Sequence, residues 1–452
     1  MKNIILLVTI TLCVSCSPKL IEANIELPKE YLYHSGFDTS QVPLREQWWL
    51  NFEDSTLDSL IAIALRENRD LEAAANSVEQ ARLYRSVARA EFLPSLSFDS
   101  EAEILHEEQT TTKEYTVAPA IEWEVSLFGE LRNAKKSAAA ALLKEEWNLR
   151  GVTLSLTAEV ATAYFTLLQY QRSLQIATHS FELRRKATAL VDSMFRYGMS
   201  NGTDLMQAKS LVYTAKIEME RYKRAVATTS LSLSTLLGVD AQKFHMPESE
   251  TSLSNIALPV DIPVGLPSSL LERRPDVMKS YYSMEQAAAS VGIARAKRYP
   301  SISLTAEGGL FATSLKGLTS GNPLLWSTTG ELSAPIFGWR ALRNKEHIAL
   351  SEYNAAVAEY EQSILEALSD VEGALITINT YSTEAVATAA LVLANNQIAQ
   401  NTSALYTSGL GDYLSVIDAE RELYASQISL IGIVAQQYIN YVDLIKALGG
   451  GW

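Results

Sequence analysis

The chain contains one unit twice. Residues 79–98, EQARLYRSVARAEFLPSLSF, align without a gap to residues 285–304, EQAAASVGIARAKRYPSISL, and nine of the twenty positions are identical. The offset of 206 pairs Arg89 with Arg295 and Pro94 with Pro300, and it also pairs Asp70 with Asp276. Further along, SLFG (126–129) matches PIFG (335–338), QAKSLVY (207–213) matches DAERELY (418–424), and LLG (236–238) matches ALG (447–449), at offsets of 209 to 211. Collinear matches with slowly growing offsets mark a duplication of a unit of about 180–190 residues. Any fold proposed for one copy must serve the other.

Each copy mixes two periodicities. SLSFDSEAEIL (95–105) puts Leu96, Phe98, Ser100, Ala102 and Ile104 on one side and Ser95, Ser97, Asp99, Glu101 and Glu103 on the other. That is the period of a strand with one oily and one wet face. After the polar tip HEEQTTTKE, a returning strand at 115–125 sets Tyr115, Val117, Ile121, Trp123 and Val125 opposite Glu122 and Glu124. Around this hairpin the pattern is helical: one helix from Ser55 to Phe92, ended by Pro94, another from Leu131 to Tyr197, and a shorter one returning to Gly238. The 131–197 helix would be on the order of 100 Å long, far beyond the usual three or four turns. The second copy repeats the plan with a helix over 268–298, strands near 301–311 and 325–335, a helix over 339–406, a break at SGLGD (408–412), and a helix to Leu448. Ala-rich stretches such as AKKSAAAALL and EAVATAALVLA predict closely packed antiparallel coiled-coil pairs.

The N-terminus reads MKNIILLVTITLCVSC, with Lys2, an apolar run from Ile4 to Val14, and small Ser15 before Cys16. It is too short to span a bilayer and has the form of a secretory signal. A small residue before cysteine predicts cleavage after residue 15 and lipidation of Cys16, although Cys13 stands where a lipoprotein signal usually has leucine. Both cysteines of the chain lie in this segment, so cleavage there leaves no internal disulfide. No later run is apolar enough to suggest a membrane helix. The expected organisation is a signal peptide (1–15), a lipid-anchored extended segment (16–53) ending in EQWWLNF, a first repeat (54–238), a Pro-, Ser- and Gly-rich linker (239–267), a second repeat (268–449) and a short tail (450–452). Trp48 and Trp49 are read as a packing anchor.

Strands of about eleven residues match the ~9–11 needed to cross an outer membrane at a tilt. In lipid, an open sheet edge leaves backbone groups unpaired, so a membrane sheet has to close. Four strands are too few, since bacterial barrels start at eight. Two chains would give a filled barrel. Three would give twelve strands and room for a pore, with Asp99, Glu101, Glu103 and Glu122 facing water. The expected fold is therefore mainly α with a small β part: duplicated long helical hairpins and four transmembrane strands per chain, with the helices hanging into the periplasm. A rod of helices with no pore explains the helices and leaves the strands unexplained.

Chemistry is sparse. The five histidines, His34, His106, His179, His245 and His347, have no metal-ligand spacing. There is no phosphate loop, no GxSxG and no Cys/His pairing, so neither an enzyme nor a nucleotide-driven motor is indicated. A formal charge of −14 argues against nucleic acid. No cofactor is expected beyond the covalent lipid.

The segments QWWLNFEDSTLDSLIAIALRENRDL, PVGLPSSLLERRPDV, ARAKRYPSISL, YTSGLGDYLSVIDAERELY and the terminal ALGGGW resemble the TolC-like outer-membrane efflux family. Within it they resemble the lipoprotein branch that includes NodT, OprM and CusC, over nearly the whole chain after the signal. The resemblance implies a homotrimer with a twelve-stranded β-barrel on a periplasmic α-barrel. It also implies the exit duct of a tripartite pump, with a periplasmic adaptor and an inner-membrane RND-type transporter as partners. Protein secretion is the nearest rival role, and a lipid-anchored scaffold without a pore is the rival from another class. Leu414 and Asp418, four apart on one helix face, match the leucine and aspartate that form constriction rings in the family. Asp204 is a further candidate gate residue in the first copy, where Gln207 stands opposite Asp418. Gly198 and Gly202 in YGMSNGTD, with Gly409, Gly411 and Asp412 in SGLGD, form the expected tip and adaptor contact, the glycines being read as positive-φ turn residues.

Overall fold

A computed structural model describes residues 20–33, 46–107, 110–243, 256, 258, 264, 265, 267–320 and 323–451. The signal segment, Cys16, His34, His245 and most of the linker lie outside the described residues. Helices and strands follow the duplicated order: α1 (Ser55–Glu67), α2 (Arg69–Ala90), β1 (Ser95–Glu107), β2 (Thr110–Val125), α3 (Glu130–Arg196) and α4 (Gly202–Leu236), then α5 (Leu270–Arg273), α6 (Pro275–Ala296), β3 (Ser301–Ala312), β4 (Leu324–Ser333), α7 (Trp339–Thr407) and α8 (Tyr413–Ala447). The 67 and 69 residues of α3 and α7 bear out the very long helices.

The sequence suggested one helix from Ser55 to Phe92, and the structure breaks it at Asn68. Asn68 takes extended backbone angles (φ −68°, ψ 130°), and its side-chain oxygen accepts from the N–H groups of Asp70 and Leu71. It therefore caps α2 and cannot continue α1. The second copy breaks at the equivalent residue, Arg274 (φ −73°, ψ 121°), because Pro275 follows and disfavours helical angles before it. β1, β2 and β3 run longer than expected, whereas β4 ends two residues early, at Ser333. In the hairpin β1 pairs with β2 from Ser95–Glu122 out to Glu107–Thr110.

The chain divides into two compact units. Unit 1 comprises Met1–Glu26, Asn76–Trp147 and Met278–Ser363 and holds the four-stranded antiparallel sheet, in the order β1-β2-β3-β4. Register puts Leu96 beside Ile121, Trp123 beside Leu304, and Ile302 beside Leu332. The oily sides of all four strands thus form one continuous face, and its large side chains are exposed, Leu96 at 74% and Trp326 at 75%. The opposite face carries Asp99, Glu101 and Glu103, and the same register adds Glu114, Glu124, Glu307 and Glu331. In the same unit, Met284 and Val291 of α6 pack on Ala349, Tyr353, Ala356 and Val357 of α7. The stretch from residue 20 lies on this core. Tyr353 Oη donates to the Ile21 carbonyl (2.6 Å), and the Asn24 N–H donates to Glu361 (3.0 Å).

Unit 2 comprises Leu27–Ala75, Asn148–Val277 and Ile364–Trp452. Trp48, 2% exposed, meets Phe52 edge-on, and Phe52 leads through Phe165 to Tyr438, so Trp48 is a packing anchor. Buried Asp54 caps α1 through the N–H groups of Thr56 and Leu57 and accepts from Tyr164 Oη at 2.6 Å. By composition, α3 and α8 each contain an 18-residue window apolar enough to cross a bilayer, against the sequence expectation. In α3 the apolar residues are spent on packing: Val160, Ala161, Tyr164 and Phe165 are fully buried.

The two copies close by the same clasp. Asn68 Nδ2 donates to the Leu236 carbonyl (2.8 Å), and Arg274 Nη1 donates to the Ala447 carbonyl (3.2 Å). Each contact joins the break near the start of a copy to the last turn of its final helix, at matching offsets. Two residues on, Gly238 (φ +68°) and Gly449 (φ +87°) turn the chain where a Cβ would stand 2.3 Å from the Glu67 carbonyl oxygen and 2.8 Å from that of Arg273. Both glycines are needed twice over, for their angle and for their missing side chain. In the second copy the clasp is also ionic. Arg274 is buried and binds Asp276 (2.5 Å), Asp370 (2.9 Å) and the Ala367 carbonyl. Burial alone would raise the Asp276 carboxyl, but Arg274 and the Val277 N–H outweigh it and hold it below the usual carboxylate range.

Gly238→Ala and Gly449→Ala should each cost about 2–3 kcal/mol in denaturant unfolding. Gly373→Ala, in open space on α7, should instead stabilise by about 0.5–1 kcal/mol. Arg274→Met removes the buried guanidinium from two half-exposed carboxylates and two carbonyls and should cost about 1–3 kcal/mol. The lowered pKa of Asp276 makes its contribution present above the ordinary aspartate value and lost on acidification. The stability gap between the wild type and Asp276→Asn should therefore shrink below about pH 4, read by unfolding midpoints across pH.

Candidate functional site

The two helix-to-helix turns, 197–201 and 408–412, are copies of one another at an offset of 211 and lie in unit 2. In the first, the N–H groups of Gly198 and Met199 donate back to Phe195 and Met194 (3.0 and 2.8 Å); in the second, those of Gly409 and Leu410 donate back to Tyr406 and Leu405 (3.0 and 2.9 Å). This pair of back-bonds stops each helix with a glycine in the left-handed region, Gly198 at φ +76° and Gly409 at φ +77°. Gly202 and Gly411 do not take positive φ, which corrects the sequence expectation. Gly202 opens α4, whereas a Cβ on Gly411 would stand 3.2 Å from Leu405 Cβ, so Gly411 allows a close approach. The following helices are capped at equivalent positions. Asn201 accepts from the Asp204 N–H and Asp412 from the Ser415 N–H, both at 2.9 Å. The two hydrogen bonds from Ser415 hold the Asp412 carboxyl below its ordinary range.

Beneath the turns the hairpins share a core. Val191 of α3, Leu205 and Ala208 of α4, and Tyr413, Val416 and Ile417 of α8 pack together, with Tyr406 of α7 against them. Burial pushes the Tyr413 hydroxyl up to about 12. With 413, 416 and 417 turned inward, α8 presents Leu414, Asp418 and Arg421 outward at spacings of four and seven. Leu414 is 56% exposed, and the Asp418 and Arg421 side chains stand 3.8 Å apart, both mostly in solvent. The structure thus brings Leu414 and Asp418 together on a free helix face. Asp204 does not join them: it corresponds to Ser415 by offset, is half-buried, and accepts from Ser200 Oγ at 3.1 Å.

Farther along the hairpins, α3, α7 and α8 enclose a cavity of about 660 Å³ bordered by His179, Arg184, Gln400, Glu420 and Tyr424. Arg184 is 6% exposed, and its Nε finds no hydrogen-bond partner among the described residues. Its nearest carboxylate is Glu420 at 3.8 Å, and its guanidinium lies 5.8 Å from the Tyr424 ring centre. Burial pulls the Arg184 pKa down and pushes that of Glu420 up. Sequence reasoning did not single out Arg184, yet a signal was there. Ala177, Arg184 and Val191 are seven apart and all buried, so the arginine occupies a seam position of a heptad row. No group of three His, Cys, Asp or Glu side chains among the described residues is arranged to hold a metal ion.

Long paired helices with a sheet that is apolar on one face and acidic on the other define the class of outer-membrane channel proteins built on a TolC-like plan. The chain belongs to the outer membrane efflux protein family, whose model matches residues 60–239 and 266–450, the two copies in turn. It is 30% identical over 429 residues to the probable efflux pump outer membrane protein TtgC of Pseudomonas putida, covering 93% of this chain and 88% of that protein. It is 29% identical over 448 residues to the probable outer membrane lipoprotein SilC of Salmonella typhimurium, covering 97% and 96%. Among solved structures, the outer-membrane channel OprN superposes with a TM-score of 0.88 at 25% identity, covering 97% of this chain and 99% of that one. Its relatives place the protein in the outer membrane as a component of an efflux pump.

Ile417→Ala opens the shared core under both turns and should cost about 2–5 kcal/mol there. Amide exchange over residues 405–420 should accelerate by at least about tenfold, while the sheet amides keep their protection.

Proposed function

We propose that three copies of this chain close their sheets into one twelve-stranded barrel and pass small molecules through it to the exterior. The observation that carries this is the sheet itself. It has a continuous oily face for lipid, an acidic face for a water-filled interior, and outer edges on β1 and β4 that no strand among the described residues covers. Barrel closure by copies satisfies those edges, and twelve strands leave room for water where eight would be filled. Lipidation at Cys16 would anchor each copy to the membrane. As a pump component the duct needs an energy source elsewhere, and a periplasmic adaptor joined to an inner-membrane RND-type transporter supplies it. The paired turns around Gly198, Gly409 and Asp412 are the surface we assign to adaptor contact.

Leu414 and Asp418 are the proposed gate. Three Asp418 carboxylates meeting near a three-fold axis would repel one another, favour cations and make closure sensitive to protonation, while Leu414 one turn earlier would narrow the passage. Asp204 is proposed as an auxiliary element that fixes the neighbouring turn. The duct calls for no catalytic group.

Native mass spectrometry of protein extracted from outer membranes in mild detergent should give a trimer carrying three lipid-modified chains; a monomer without added lipid mass would remove the shared pore. In planar bilayers, Asp418→Asn should reduce cation preference and raise leakage of bulky antibiotics in cells. Unchanged conductance and drug entry would remove Asp418 from the gate.

A further inference from the structure

The end of the sheet that joins the helices carries a belt of positive charge, out of keeping with an acidic protein. The last turns before β1 and β3 hold Arg82, Arg85, Arg89, Arg295, Lys297 and Arg298. The first turns after β2 and β4 hold Arg132, Lys135, Lys136, Arg340, Arg343 and Lys345. These are twelve of the chain's 38 basic residues, and the same stretches contain only three carboxylates, Glu91, Glu130 and Glu346. Register places the four strand ends side by side, Ser95 by Glu122, Val125 by Ile302 and Ser301 by Ser333, so the cations line one rim.

Contacts between neighbouring helix ends keep that rim in the order of the strands. Lys135 lies over the Phe92 ring, Lys297 reaches Glu130, Phe128 stacks on Tyr299, and Arg298 and Arg343 both lie over Trp339. Arg82 pairs with Glu79, Lys297 with Glu130 and Arg298 with Glu346; the other nine cations make no ion pair among the described residues. Beside them stand apolar side chains facing solvent, Phe337 at 93% and Ile336 at 82% exposed, with Trp339 half exposed. Both features occur in both copies, as SLFG before Arg132 and as PIFG before Arg340.

We infer that this rim is a binding surface for anionic glycerophospholipid headgroups in the leaflet on the helix side of the outer membrane. The apolar sheet face continues into exposed Phe337, Ile336 and Trp339, which suit the boundary between acyl chains and headgroups. Unpaired arginines and lysines a turn beyond sit at headgroup depth. There a phosphate can accept from a guanidinium that lies over an aromatic ring, as Arg343 does over Trp339. Among the described residues the opposite end of the sheet carries only two cations, Lys113 and Lys316, with Glu107 and Glu114 beside Lys113. The inference rests on the sheet lying in the membrane, and the experiment separates the two.

The full-length protein, purified in mild detergent, would be mixed with phosphatidylcholine vesicles with or without about 30 mol% cardiolipin, then floated and examined by native mass spectrometry. The expected result is flotation with both vesicles but retention of cardiolipin at least about tenfold above phosphatidylcholine. Changing Arg340, Arg343 and Lys345 together to Gln should abolish that preference without abolishing flotation. Changing Lys216, Lys223 and Arg224 of α4 to Gln should leave it intact. Flotation with no cardiolipin preference in the wild type overturns the rim assignment while the membrane reading stands, and requires no variant to fold. A rim variant that keeps the full preference overturns it equally, and failure to float at all overturns the membrane reading beneath it.

Discussion

A backbone N–H or C=O taken into hydrocarbon without a partner costs several kcal/mol, and this one chain has two rows of them, on β1 and on β4. Most of what else is seen serves that constraint. One sheet face is oily because its surroundings are oily, and the other is acidic because it is wetted. Within one chain the sheet has no second layer to bury its oily face, which is why side chains as large as Trp326 stand exposed. A soluble protein showing this much contiguous apolar surface would aggregate. Here the surface describes the solvent.

The helices answer a different demand. They must be long, and they must resist splaying over a length that no single globular core spans. The structure manages this with small separate cores instead of one large one: the Trp48–Phe52–Phe165–Tyr438 aromatics, the α6–α7 contact, and the Val191–Tyr413–Ile417 cluster under the turns. Between the cores the seams admit polar side chains, and Arg184 shows how far this goes. A buried cation with its nearest carboxylate at 3.8 Å contributes little to holding helices together.

Much of this was legible in the residues. Period-2 alternation located all four strands to within a few positions, because each has one face in water and one out of it. The offset of 206 to 211 foretold both copies of every turn. What stayed hidden shares a cause, which is distance along the chain. Asn68 reads as one more polar residue in a helical run until it is seen bonding a carbonyl 168 residues away, and Arg274 reaches across 173. The break itself is local, since Asn68 is a favoured N-cap that bonds the N–H groups two and three residues on and Pro275 marks the equivalent break in the second copy. Only the clasp across to the last turn is hidden. On α8, the four-residue spacing of Leu414 and Asp418 was enough to put them on one face. The spacing of Asp204 from its own turn could not reveal that its carboxylate is engaged by Ser200.

The clasps have a further consequence. Each ties a break near the start of a copy to the end of the same copy, so a copy's first and last turns lie next to each other in space. A unit whose ends meet can be copied in tandem without stretching either product. Asparagine in one copy and arginine in the other, doing the same joining with different atoms, is the mark such a history leaves. The glycines beside them did not drift, because no other residue fits.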